Sequence, residues 1–320
     1  MNDESVLEWN ALGAVDDAGT MRCSELVAAV ADVLTNAGVE TARQEARDLV
    51  AACVEEPRFW PTANPDALLP AQVVVHARRA AAKRAAGAPF AYAVGAAPFR
   101  HLTLRVDERV LIPRPETEQL VDEILRRTAG GHGVAADIGT GSGAIALALA
   151  AEGTFDRVIA TDVSQDALDV AGANAAALAG ELRARVELRH GTGLAPLGGE
   201  LVQVLAANPP YIAFEEAREL PAAVRDWEPA LALFAADDGM AVIADYLASA
   251  MSVLAPGGLL AFEVDSRRAD RALALAQQAG FATAHIVQDL TGRDRFLLAT
   301  RPMATTPRPD SAPTRTGEQQ

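Results

Sequence analysis

The stretch from Val134 to Ala151 constrains this chain more than any other. Val134 to Ile138 has the composition of a short buried strand, Gly139-Thr140-Gly141-Ser142-Gly143 follows without a spacer, and Ala144 to Ala151 is an apolar helical run. Glycines between a strand and a helix let the backbone turn tightly and approach a ligand without a Cβ in the way. In an open α/β sheet that turn lies beyond the carboxyl end of the strand, where ligands bind. The alternation then continues, with strand patterns at 158–161, 186–188, 201–206 and 258–264. Helical patterns run over 165–179, 241–254 and 269–279. It predicts a doubly wound α/β domain, a mainly parallel sheet covered on both faces. His285 to Gln288 and Arg295 to Ala299 read as a closing hairpin that adds an antiparallel edge.

Upstream the period changes. Leu26, Val27, Val30, Val33, Leu34, Ala46, Leu49 and Val50 recur at helical spacing, interrupted by Asn36-Ala37-Gly38, and a third helical pattern spans 70–86. Phe90, Tyr92, Val94, Phe99, Leu102, Leu104 and Val106 instead approach the alternation of a half-buried strand. Pro113 and Pro115 hold the next segment extended, and Thr117 is placed to cap a helix over 119–127. With 320 residues the chain is long enough for two domains of roughly 100–200 residues. The expected organisation is a flexible leader over 1–20, a small helical bundle over 21–88, and a β-hairpin and linker over 89–115. A cofactor-binding α/β domain follows over 116–301, then a disordered Pro- and Thr-rich tail over 302–320.

A formal net charge of -15 argues against a protein that wraps nucleic acid, because phosphate binding draws on clustered Lys and Arg. The run Arg78, Arg79, Lys83 and Arg84 reads first as a solvated helix face and second as a contact for RNA or an acidic partner surface. Cys23 and Cys53 have no metal spacing and read as reduced, buried thiols. The acidic start lacks the order of a signal peptide, and no apolar run reaches the roughly 18 residues of a membrane helix. A cytoplasmic, monomeric enzyme with a protein or small-molecule partner, no membrane and no metal is expected.

The glycine loop is GxGxG rather than the GxGxxG of dinucleotide sites, and Asp137 precedes it directly. An acid there would repel a pyrophosphate and suits a cofactor carrying an ammonium group, such as S-adenosylmethionine. Asp162, closing the next strand in Ala160-Thr161-Asp162-Val163, is placed to accept hydrogen bonds from both ribose hydroxyls. The bland reading is that the glycines pack a helix on a strand and Asp162 caps the next helix; having both acids in place weighs against it.

Asn208-Pro209-Pro210-Tyr211 ends a buried strand at the same sheet edge. An amide or arylamine nitrogen is a poor nucleophile because its lone pair is delocalised. A site that alkylates it must hold both N–H bonds so that the lone pair points at the methyl donor. The Asn208 side-chain carbonyl and the Pro209 backbone carbonyl offer two acceptors, and prolines stiffen the loop without adding N–H donors. Tyr211 is placed to lie over a planar substrate group. An isolated Asn-Pro is a common turn starter; behind a cofactor loop the chemical reading is stronger.

Together these motifs resemble the HemK/PrmC family, the protein-(glutamine-N5) methyltransferases that act on the GGQ glutamine of peptide chain release factors. Further likeness lies in Leu111-Ile112-Pro113-Arg114-Pro115-Glu116-Thr117-Glu118 and in Ala167-Leu168-Asp169-Val170-Ala171-Gly172-Ala173-Asn174-Ala175. It continues in Glu228-Pro229, Ala232-Leu233, Asp238-Gly239, Asp289-Leu290 and Gly292-Arg293-Asp294-Arg295, so that it runs from about residue 20 to 301. The resemblance implies a class I, Rossmann-like methyltransferase domain behind a helical domain that contacts the release factor. It implies S-adenosylmethionine held by Asp137, Ile138, Gly139, Thr140, Gly141, Gly143, Asp162 and Val163. Asn208, Pro209, Pro210 and Tyr211 would hold the glutamine, with Asn208 also near the methyl donor.

Three features depart from the family pattern. Where it has an acid and then a bulky residue beside the adenine, this chain has His190-Gly191-Thr192-Gly193. Where it often has Glu-Ile-Gly, this chain has Glu263-Val264-Asp265, and the leader and tail are longer than expected. Three other functions compete. An N6-adenine methyltransferase shares the Asn-Pro-Pro-aromatic loop, but acidity counts against it. A small-molecule or other protein-glutamine methyltransferase fits the unusual 190–193 segment. A non-catalytic binding protein sits badly with two complete motifs.

Overall fold

The structure is a computed structural model that describes residues 20–304, so nearly all of the expected leader and most of the expected tail lie outside the described residues. Helices α1 (Cys23–Asn36) and α2 (Ala42–Cys53) form where apolar residues share one helical face, and Leu26, Val30, Leu34, Ala46, Leu49 and Val50 are all fully buried between them. Helix α3 (Ala71–Ala85) adds Val74, Ala77 and Ala81 to the same core. Its basic face is partly paired, with Arg84 Nε 2.7 Å from Glu45. Cys23 and Cys53 are both free and buried.

Phe90–Val94 is a helical turn, α4, where alternation had suggested a strand. Phe90 and Val94 stand four residues apart and so share a helical face as readily as a strand face. Both pack onto the bundle core, which decides the matter. The hairpin follows as β1 (Ala96–Phe99) and β2 (Leu102–Arg105), paired antiparallel from Ala96↔Arg105 to Phe99↔Leu102. At its tip, Arg100 reaches Glu152 at 2.7 Å and Asp122 at 2.8 Å, which ties the hairpin to the α/β domain.

That domain comprises α5 (Pro115–Arg127), β3 (Val134–Ile138), α6 (Ala144–Glu152), β4 (Arg157–Asp162), α7 (Gln165–Ala177), β5 (Arg185–His190) and β6 (Val202–Ala207). It ends with α8 (Ala241–Val253), β7 (Leu254–Glu263), α9 (Ala269–Gln278), β8 (Thr283–Gln288) and β9 (Asp294–Thr300). Seven strands form one sheet in the order β8-β9-β7-β6-β3-β4-β5. Strands β3 to β7 run parallel, whereas β9 is antiparallel to both β7 and β8. Helices α5 and α6 cover one face, and α8 and α9 the other. Every residue of α6 from Ala144 to Ala150 is buried, as an all-apolar helix must be.

Chain order reverses between β3 and β6, so the switch point of the sheet opens beside them. The register Ile138↔Thr161 and Ile138↔Ala207 brings the ends of β3, β4 and β6 level at one edge. The glycine loop, Asp162 and Asn208 therefore meet there. Buried Asn174 braces this edge: its side chain accepts from the Arg105 N–H at 2.8 Å and donates to the Arg105 carbonyl at 3.1 Å and the Ser142 carbonyl at 2.9 Å. One amide thus joins the hairpin, α7 and the glycine loop.

Candidate active site

A cavity of about 460 Å³ opens at the carboxyl edge of the sheet, within the range of small-molecule sites. Of the residues singled out from sequence, Ile138, Gly139, Thr140, Gly141, Asp162, Val163, Asn208, Pro209 and Pro210 line it. Asp137, Gly143 and Tyr211 do not.

The glycine loop takes positive φ at Gly139, Gly141 and Gly143, at 71°, 55° and 86°, a conformation that side chains rarely adopt. A Cβ on Gly139 or Gly141 would meet no protein atom within 4 Å, so these glycines leave cavity space open. Asp137 supports the loop from beneath: its Oδ2 accepts from Thr140 Oγ1 at 2.6 Å and from the Ala146 N–H at 3.1 Å. Its Oδ1 is buried with no hydrogen-bond partner among the described residues. Burial pushes the Asp137 carboxyl up to about 7, against the two hydrogen bonds that favour its charged form. The Asp162 carboxylate accepts the Gly141 N–H at 2.9 Å and the Ser164 N–H at 2.9 Å, which fixes it at the cavity wall with lone pairs to spare. Gly191, Thr192 and Gly193 line the same cavity, while the His190 ring lies 2.9 Å from the Val163 carbonyl.

At the other end, the Asn208 Nδ2 donates to Thr117 Oγ1 at 3.2 Å. No described residue donates to the Asn208 Oδ1 or to the Pro209 carbonyl, so two acceptors remain open on adjacent residues. Thr117 is 4 % exposed and does not cap α5, as its sequence position suggested. Arg114 is the N-cap residue, and the Thr117 hydroxyl donates inward to Glu263 Oε2 at 2.7 Å. Glu116 and Glu118, in the same turn, do not line the cavity; Thr117 does. The Tyr211 hydroxyl lies 3.4 Å from Glu263 Oε1. Burial raises the Glu263 carboxyl above the ordinary carboxylate range, with the Thr117 and Tyr211 hydroxyls and the Arg295 charge opposing. Glu263 was the residue hardest to foresee. The available signal was a carboxylate ending a buried strand at the ligand edge.

The 212–240 segment clamps the NPPY turn from outside. Ile212 bridges to Phe234, and Asp237 and Asp238 both hold positive φ, at 54° and 53°. The Arg268 guanidinium gathers this segment, with Nε donating to the Asp238 carbonyl and Nη2 lying 3.0 Å from Glu216. Arg114, at the cavity, lies 2.6 Å from the buried Glu228. Among the described residues no group of three or more His, Cys, Asp or Glu side chains could hold a metal ion, and no helix is long and apolar enough to cross a membrane.

A parallel sheet with its last strand inserted antiparallel, and a glycine-loop cavity at the switch point, places the chain among the class I, Rossmann-like methyltransferases. Two family models match it, one described as the PrmC N-terminal domain over residues 25–95 and one as a methyltransferase domain over 119–207. The chain is 38% identical to the release factor glutamine methyltransferase of Cereibacter sphaeroides, over 89% of this chain and 100% of the relative. It is 39% identical to that of Mycolicibacterium smegmatis over 88% and 98%, and 44% identical to that of Moorella thermoacetica over 68% and 77%. The chain belongs to the release factor glutamine methyltransferase family, and it is a methyltransferase.

Proposed function

We propose that this enzyme uses S-adenosylmethionine to methylate the side-chain amide nitrogen, N5, of the glutamine in the GGQ motif of a peptide chain release factor. The observation that carries this reading is the pair of open acceptors, the Asn208 Oδ1 and the Pro209 carbonyl, beside a cavity walled by a GxGxG loop. The names of its relatives support the substrate class. The donor set suits the cofactor: Asp162 keeps lone pairs for ribose hydroxyls, and the Asp137 Oδ1 is an unpaired acceptor behind the loop for an ammonium.

When bound, S-adenosylmethionine supplies an electrophilic methyl on a sulfonium, with a neutral thioether as leaving group. The chain's own residues hold the nucleophile. Asn208 and Pro209 accept one N–H bond each, which turns the nitrogen lone pair out of conjugation and toward the methyl. Positive charge growing on that nitrogen during methyl transfer would strengthen the hydrogen bonds to both acceptors. Interactions that grow in the transition state are the ones that raise the rate. The nitrogen becomes acidic only as it alkylates, so no strong base is needed beside it. The two prolines hold the acceptors rigidly, which reduces the entropy lost on reaction.

Purified enzyme, radiolabelled S-adenosylmethionine and the release factor of the same source organism provide the test, with the GGQ peptide read by mass spectrometry. A single methyl on that glutamine, lost in Asn208→Ala, is expected. No methyl on a folded factor, with cofactor binding retained, would sink the substrate assignment.

A further inference from the structure

Asparagine's side-chain amide is nearly symmetric in shape, yet only its oxygen accepts an N–H. Presented the other way round, Asn208 would offer two donors to a substrate NH2 and repel it. Something must decide which end faces the cavity, and the loop sequence alone does not.

The decision is made two hydrogen bonds deeper. Thr117 has one hydroxyl proton, and the hydroxyl lies 2.7 Å from Glu263 Oε2 in a buried setting. The hydroxyl donates to Glu263 Oε2, so that proton is committed there. Thr117 Oγ1 is left with lone pairs alone and takes the Asn208 Nδ2 at 3.2 Å. The Asn208 Oδ1 then turns away from Thr117, and no described residue bonds to it. The second Glu263 oxygen lies 3.4 Å from the Tyr211 hydroxyl, so one carboxylate anchors both ends of the NPPY turn.

We propose that Glu263 and Thr117 are positioning residues whose hydrogen bonds, running Asn208 to Thr117 to Glu263, fix the polarity of the Asn208 amide and so present its oxygen to the substrate nitrogen. The catalytic consequence rests on the glutamine-methylation reading; the polarity of the amide does not. Glu263 does not line the cavity, and the Thr117 hydroxyl, which does, is held between Glu263 and Asn208. A buried acid at the end of β7 thereby acts on the site through a hydroxyl on α5, two elements far apart in sequence.

Three variants test this: Thr117→Val, which keeps the shape and removes the hydroxyl, Thr117→Ser, which restores it, and Glu263→Gln. The first readout needs no substrate. In ¹⁵N-labelled protein, the Asn208 side-chain amide should show one proton protected from exchange, protection lost in Thr117→Val and regained in Thr117→Ser. Equal exchange of both protons in wild type and Thr117→Val overturns the proposal. The second readout is turnover on the release factor with calorimetric titration of S-adenosylmethionine in parallel. Thr117→Val and Glu263→Gln should lower kcat about 10- to 100-fold, the scale of one lost orienting hydrogen bond. Cofactor affinity should hold within about twofold, and Thr117→Ser should recover most of the rate. Wild-type kcat in both Thr117→Val and Glu263→Gln, or equal losses in Thr117→Ser and Thr117→Val, overturns it. Should Thr117→Val fail to fold, Glu263→Gln and the serine variant still decide the outcome. A wild-type enzyme inert on the factor would instead count against the substrate reading, and the exchange experiment would judge the amide polarity alone.

Discussion

Gly239→Ala should damage both stability and catalysis, by amounts the structure lets one work out. Gly239 sits at φ 76°, and a Cβ there would overlap the Tyr211 carbonyl oxygen and lie 2.9 Å from its carbon and 2.8 Å from Arg268 Nε. Carbon atoms pack at roughly 3.5–4.0 Å, so the Tyr211 peptide must retreat on the order of 1 Å. It cannot retreat freely, because Arg268 is 4 % exposed and bonded to Asp238 and Glu216. The left-handed backbone costs an alanine about 1–2 kcal/mol and the overpacking about 1–3 more. A loss of about 2–5 kcal/mol lowers the melting temperature by roughly 5–15 °C in a domain of this size. A 1 Å displacement of the residue after Pro209 and Pro210 should lower kcat by about 10²-fold. Thermal melting and single-turnover methyl transfer, with cofactor binding as the control, measure both. A variant that melts within about 1 °C of wild type and turns over at its rate would refute the idea that Gly239 sets the position of the 208–211 turn.

Two further outcomes can be checked. Burial holds Asp137 protonated up to about 7 in the fold, whereas the unfolded chain releases that proton near its ordinary value. Its contribution is therefore full at low pH and is lost as pH rises through about 7. The cofactor-free wild type should lose stability relative to Asp137→Asn between about pH 4 and 7 in denaturant titrations, and a pH-independent difference would contradict this. Asp162→Ala removes the acceptor proposed for the ribose hydroxyls and should weaken S-adenosylmethionine binding by about 10²-fold or more, at about 1.5–3 kcal/mol per charge-assisted bond. Unchanged affinity by calorimetry would move the ribose elsewhere.

Much of this protein was legible in one dimension, for local reasons. The strand–glycine–helix turn at 134–151, the parallel α/β alternation and the closing hairpin depend on periodicity and on residues that only glycine or proline replaces well. The two motifs lie on strands that a parallel sheet must align, so their meeting at one edge follows from the fold class. Phe90–Val94 was ambiguous because a spacing of four and a spacing of two share positions, and packing on the bundle chose the helix.

What only the tertiary structure decided is which atoms face which. Asp137 turned out to brace the glycine loop from beneath, Tyr211 to anchor through its hydroxyl, and Thr117 to turn inward from a helix it was expected to cap. Pattern reads backbone conformation and the sidedness of a strand or helix, both set by near neighbours in the chain. The direction of a hydrogen bond is set by partners distant in sequence, 146 residues apart for Thr117 and Glu263, and exists only once the sheet and helix have packed.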